Sequence, residues 1–250
     1  MSFKSSFLFL FALASSLSPK TDQSQPTNTM NGYQIEYDWT CAFYAGKGFE
    51  STLYSYSEGA FFSFKQIDKT TEVSENESII IDDSYKHIRY DSNSDSIFQL
   101  GYLSSISPNK ILIAEKRDKI NWNLKDSTKM IMNNLCHFAV GEFRGRTYYA
   151  WYNPSIAINH GPWKLHGLPG AIIYARDSTN EISFEALSVD RISDEKLRSI
   201  IKKPNLPIVS RLYYRKKREE LYDRLENIKP ENGSNVTYDI KLKRSYFEYY

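Results

Sequence analysis

The side chains best equipped for chemistry fall in one segment, RGRTYYAWYNPSIAINHGPWKLHGLPGAIIYARD, residues 144–177. It gathers the cations Arg144, Arg146 and Lys164 and the large aromatics Trp151, Tyr152 and Trp163, with Leu168 inside a glycine- and proline-rich loop. Ligand sites are mostly apolar, with a few placed polar groups. Trp151, Tyr152, Trp163 and Leu168 around a concave surface, rimmed by Arg144, Arg146 and Lys164, would suit an apolar ligand or a partner carrying a carboxylate or phosphate. The competing reading is mechanical. Gly161, Pro162, Gly167, Pro169 and Gly170 are turn residues: proline fixes its own φ, glycine reaches positive φ, and Leu168 is held extended by the proline after it. On that reading the loop is a rigid corner plugging the end of a sheet.

His160 and His166 share the loop, but no cysteine or carboxylate stands at ligand spacing beside them, so no metal and no cofactor is expected. No G-x-S-x-G, H-E-x-x-H, P-loop or G-x-G-x-x-G signature occurs. No residue is therefore assigned a catalytic role. Cys41 and Cys136 are the only cysteines, and in an oxidising compartment an even pair permits one disulfide.

The elements that must position this segment read as strands. Aromatic residues make up 15 % of the chain, with 19 Tyr and 14 Phe, and such side chains suit a half-buried pleated surface. From Tyr33 to Phe43 apolar and polar residues alternate strictly, giving a strand with one buried face. Shorter strands are expected at Thr52–Tyr56, Phe61–Ile67, Ser78–Asp82, His87–Tyr90, Ile97–Leu103, Ile111–Lys116, Ile120–Leu124, Cys136–Glu142, Thr147–Tyr152, Ala171–Arg176 and Ile182–Arg191. Strands this short, separated by turn clusters, indicate an antiparallel meander. At Ser193 the pattern turns helical, with an N-cap serine followed by Asp194 and Glu195. One helix runs to Pro204, a second over Ser210–Lys229, and Val236–Tyr249 is a candidate edge strand. The expected fold is mainly β: a curved antiparallel sheet or open barrel with two C-terminal helices, forming one domain over 31–250.

The sequence opens with Lys4, an apolar run from Phe7 to Leu13 and Ala12-Leu13-Ala14, the layout of a secretory signal peptide over 1–14. Residues 15–30 are polar and read as a flexible linker. The apolar run is far shorter than the roughly 20 residues a membrane helix needs, so the product is expected to be soluble, in a periplasm or outside the cell. Net charge is +2. Residues 193–229 hold 11 basic and 6 acidic side chains, too mild an excess for nucleic-acid binding.

Residues 120–192 closely resemble the GLPGLI family, exported proteins found mainly in Bacteroidetes. The resemblance rests on Gly145-Arg146, Ala150-Trp151-Tyr152, Ile158, Gly161-Pro162-Trp163 and Gly167-Leu168-Pro169-Gly170, with Asn121-Trp122 and Cys136 upstream. Ala171 departs from the leucine of the name motif. The resemblance implies an exported β-rich fold and no particular activity. Three functions fit: a non-enzymatic envelope protein binding an apolar small molecule or a partner protein, an accessory subunit of an outer-membrane transport or secretion complex, and a hydrolase with an unrecognised site. A deep apolar cavity would favour the first, a flat exposed aromatic patch the second, and a histidine or carboxylate of shifted pKa beside a nucleophile the third. If the leader reading is right, protein recovered from its native host begins near Ser15 on N-terminal sequencing; an intact Met1 would refute it.

Overall fold

A computed structural model describes residues 32–42, 47–68, 86–102, 110–201 and 204–226. The expected leader, linker, Ser78–Asp82 strand and Val236–Tyr249 strand lie outside the described residues. The elements are β1 (Gly32–Cys41), β2 (Lys47–Tyr56), β3 (Gly59–Asp68), β4 (Lys86–Asp91), β5 (Ser96–Tyr102), β6 (Lys110–Lys116), β7 (Asn121–Ile131), β8 (Asn134–Phe143), β9 (Arg146–Asn153), β10 (Ala171–Asp177), β11 (Ile182–Ile192), α1 (Asp194–Ile200), β12 (Ile208–Ser210) and α2 (Arg211–Glu226).

All twelve strands form one open, mixed sheet in the order β12-β6-β5-β4-β3-β2-β1-β11-β10-β9-β8-β7. Two antiparallel meanders, β1 to β6 and β7 to β11, meet where β1 pairs with β11. The connection between β6 and β7 dictates the curvature. In the sheet these strands are ten spacings apart, about 48 Å if it were flat. Only residues 117–120 join them, and five peptide steps span at most about 18 Å. The sheet must therefore curl until the β6 and β7 ends approach, without pairing. The expected meander thus appears as an open sheet with two helices near its C-terminus. The departure is β12, which pairs parallel to β6 and carries no alternation long enough to be read in sequence.

β1 keeps the expected inward face: Ile35, Tyr37, Trp39 and Cys41 are buried. Trp39 stacks on Phe49 (4.4 Å between ring centroids) and Phe184 (5.3 Å) and meets Phe64 edge-on (5.0 Å). These aromatics fill the middle of the concave side. A bulge between Glu36 and Tyr37 leaves Leu187 of β11 unopposed, and it is 61 % exposed. Helix α1 starts where Ser193 accepts a bond from the Lys196 amide, as its N-cap position predicts. Helix α2 approaches β5 and β6, with Tyr214 beside Gly101. Among the described residues no helix is long and apolar enough to cross a membrane.

The disulfide does not form. Cys41 and Cys136 are both free, buried thiols, on β1 and β8 with three strands between them. A bridge would need the two strands to be neighbours, and long-range strand order is what local alternation leaves open.

The β9–β10 connection, residues 154–170, folds back into the concave side and plugs it. Leu165 and Leu168 are each 1 % exposed and Trp163 is 7 % exposed. Trp163 meets Phe143 edge-on at 5.7 Å. Gly170 is demanded by geometry: its φ is +151°, and a Cβ there would lie 2.3 Å from the Asn153 carbonyl oxygen. Trp163 itself sits at φ +54°, a left-handed conformation costly for a large residue, which its burial must offset. Trp163→Ala should cost about 3–5 kcal/mol and Leu168→Ala about 2–5 kcal/mol, as for other large core deletions. Urea melts of both variants test this; unchanged midpoints would show that the loop is not a packed plug.

Candidate functional site

At the end of the sheet where β6 and β7 converge, charged side chains from four elements meet under the plug. Glu115, on β6, shares the inward register of Ile111 and Ile113. Its Oε1 is 2.5 Å from Lys164 Nζ, and its Oε2 is 3.0 Å from Arg144 and 3.1 Å from Arg211. The Lys164 side chain is 0 % exposed and that of Glu115 7 %. Arg144, at φ +53° in the β8–β9 turn, also reaches Asp118 at 2.8 Å. Burial pushes the Glu115 carboxyl up, but Lys164, Arg211 and Arg144 together outweigh it and hold it below the ordinary glutamate range.

Beside this cluster the two loop histidines face each other across a bridge between residues 160 and 166. His160 Nδ1 is 2.8 Å from Ser55 Oγ, and its ring lies 5.2 Å from that of Tyr90. His166 Nδ1 is 2.8 Å from the Lys164 carbonyl oxygen, and its own carbonyl accepts the Trp122 indole N–H at 2.7 Å. Burial, aided by Arg117, lowers His160 to about 3 and His166 to about 4. Both rings are therefore neutral at ordinary pH. Among the described residues Ser55 with His160 forms a nucleophile–histidine pair at this site, and it is poorly suited to acyl transfer. A conjugate acid at about 3 has little pull on a hydroxyl proton near neutrality, and Ser55 is 2 % exposed. Among the described residues no group of three His, Cys, Asp or Glu is placed to hold a metal ion.

The surface imagined from the sequence is divided by the fold. Tyr152, Trp163 and Leu168 are buried in the interior. Trp151 immediately precedes Tyr152 on β9 and so takes the opposite face, where Phe138 (4.9 Å) joins it. Tyr149 packs on Phe138 (6.2 Å) beneath the Arg176 guanidinium. Arg146 is not at a rim: it is buried on Asp177 and lies 2.7 Å from Glu181. Asp177 in turn accepts the amides of Glu181 and Ile182 (2.8 and 3.1 Å), closing the β10–β11 hairpin. Gly161 is wedged against Ile172 and the Leu165 carbonyl, Pro162 is buried, and Gly167 and Pro169 are exposed.

Sequence reasoning passed over Ser55, Glu115, Arg117, Asp118 and Arg211. Glu115 left a trace, since strand alternation places it in register with buried isoleucines. Ser55 lies on β2 and the rest in the β6–β7 link and at the start of α2, and no local pattern encodes their meeting. Under the plug there remains a cavity of about 30 Å³, floored by apolar residues including Ala60, Ile88 and Ile97 and edged by Arg117, Tyr90 and His160. That is far below the roughly 300–1,000 Å³ of small-molecule sites.

No family model matches the chain, and no curated protein matches it. Its fold is similar to solved structures of PNGF-II in two crystal forms. Both give a TM-score of 0.51, with 16 % and 15 % identity, covering 75 % of this chain and 33 % and 32 % of the other. The chain thus spans about a third of the length of the solved protein it resembles. At this identity the likeness concerns the fold alone.

The histidines and Glu115 shift stability in the same direction with pH. Arg117 faces both His160 and His166, Asp95 lies near His166, and the Lys164 and Asp118 backbones bond the His166 ring; both histidines are neutral when folded, whereas the unfolded chain binds their protons below about 6.5. Stability should therefore be full above pH 6.5 and fall as pH drops toward 4. Glu115, depressed in the folded state, adds a loss that begins near its ordinary range and deepens below it. Thermal melts across this window should show the decline, and His160→Asn with His166→Asn should flatten its upper part. Equal slopes in variant and parent would contradict the assignment.

Proposed function

We propose that this is an exported, non-enzymatic protein of the GLPGLI type that binds a partner protein in the cell envelope through the β7–β8 ribbon. The observation that carries the reading is the exposure of large apolar side chains on that ribbon: Leu124 52 %, Met130 60 %, Met132 40 % and Leu135 52 %. Met130 and Leu135 are direct cross-strand partners, and Leu124 opposes Ala139 on the same ribbon face. Met132 and Asn133 form the tip at φ +49° and +60°, where Asn-Gly is the easy choice. A methionine held there, half out of the protein, places a flexible thioether where it can adapt to an apolar groove.

The narrowness of the pocket under the plug, about 30 Å³, supports the same reading, because a drug-sized apolar molecule has little room there. Binding by strand addition along β7 is disfavoured by its own edge. Lys125 and Lys129 flank a bulge at Asp126-Ser127, devices that protect a free strand from pairing. The partner is therefore a protein whose apolar groove accepts the ribbon tip. An accessory subunit of an outer-membrane transport or secretion complex is a finer form of this reading, supported by the half-buried aromatic face that Phe138 of β8 forms with Tyr149 and Trp151 of the neighbouring β9. Met130→Ser with Leu135→Ser should leave the melt within about 0.5 kcal/mol, as exposed substitutions do, and abolish crosslinking to the envelope partner in the native host. An unchanged crosslinked product would sink the proposal.

A further inference from the structure

Arg117 stands apart from the other cations under the plug. Arg144, Lys164 and Arg211 converge on Glu115, and Arg144 also takes Asp118. The Arg117 guanidinium instead lies 4.0 Å from the centre of the Tyr90 ring, with one nitrogen 3.4 Å from the Asn159 carbonyl oxygen. Among the described residues no carboxylate pairs with it. Stacking on Tyr90 fixes the plane of the guanidinium at the edge of the cavity, and its remaining N–H groups form the fork that matches a carboxylate.

Charge at this end favours one more anion. Four cations stand against Glu115 and Asp118; even counting Asp95, whose carboxylate accepts the Tyr90 hydroxyl at 3.1 Å, positive charge is in excess. His160 beside Arg117 is neutral and repels nothing. The cavity, about 30 Å³, has room for a group of only a few heavy atoms, and its floor is apolar where its edge is cationic.

We propose that this pocket binds a carboxylate group, gripped by the Arg117 fork, with its short aliphatic stem on Ile88 and Ile97. The carboxylate comes from a free short-chain acid or from the C-terminus of a peptide. The site shares no residue with the β7–β8 ribbon, so either proposal can fail alone.

The test follows the Arg117 Nε–H resonance of the folded protein during titration with acetate, with propionate, and with a short peptide as its free acid and as its amide. Saturable shifts are expected with both acids, and propionate should bind about fourfold more tightly because its extra methylene is buried. Arg117→Gln should weaken binding by at least about tenfold, the scale of losing a charge-assisted pair, with the rest of the amide spectrum unchanged. Arg117→Lys, which keeps the charge but loses the fork, should retain part of the affinity, and it serves as the test if the glutamine variant does not fold. Tighter binding of the peptide acid than of its amide identifies a chain terminus as the source; equal peptide behaviour with saturable acetate identifies the free acid. Absence of saturation with every carboxylate, equal affinity in Arg117→Gln, or equal competition by chloride would overturn the inference.

Discussion

The ion pair between Lys164 and Glu115 is the interaction on which the rest of this fold leans. A fully buried ammonium is tolerated only when an anion and hydrogen-bond acceptors meet it, and Glu115 Oε1 does so at 2.5 Å. The same carboxylate takes Arg144 from the β8–β9 turn and Arg211 from the first residue of α2. One carboxylate thus fixes the plug, a turn of the second meander and a helix to an edge region of the first. Removing it would leave several cations without their shared anion, a far larger penalty than losing a surface pair.

Curvature explains why such a fastening is needed. The four-residue link between β6 and β7 forces the sheet to curl, and a curled but unclosed sheet has an interior that must be filled. Trp39, Phe49, Phe64 and Phe184 fill its middle, while Trp163, Leu165 and Leu168 fill the end near the converging edges. The loop contributes its own backbone to that interior, and its polar groups are satisfied locally: the Gly161 amide reaches the Leu165 carbonyl and the Gly167 amide reaches that of Asn159. A loop can be buried only on such terms.

What was legible in the sequence was whatever depends on near neighbours. Alternation located β1, β8 and β9, and the N-cap at Ser193 marked α1, because burial of one strand face and capping of one helix are written within a few residues. Strand order was not legible, and with it went the disulfide between Cys41 and Cys136. Trp151 and Tyr152 were grouped on one surface although adjacent strand residues face opposite ways; proximity in sequence concealed a separation by the thickness of the sheet. The ion cluster was hidden for the same reason, since Glu115, Lys164 and Arg211 lie far apart along the chain. The extension of β7 beyond Leu124 also escaped notice. Its residues from Asn123 to Met130 are exposed, so no buried face imprinted a period on them.

The residues that carry the resemblance in the loop are largely those the packing itself requires. Gly161 admits Ile172 where a side chain would collide, Gly170 passes the Asn153 carbonyl where no Cβ fits, and Trp163 and Leu168 are core. Arg146 secures the β10–β11 hairpin through Asp177. A segment explained so fully by filling and fastening a curled sheet needs no ligand to account for it. The recognition chemistry proposed above uses side chains in places where packing makes no demand. Two such places stand out: the apolar ribbon of β7 and β8, whose side chains are held in water, and Arg117, whose charge the described structure leaves without a carboxylate. On these two proposals the groups that would meet other molecules border the resembling loop rather than fill it: Arg117 lies against the loop at Asn159, and the ribbon tip projects beyond Trp122 and Cys136.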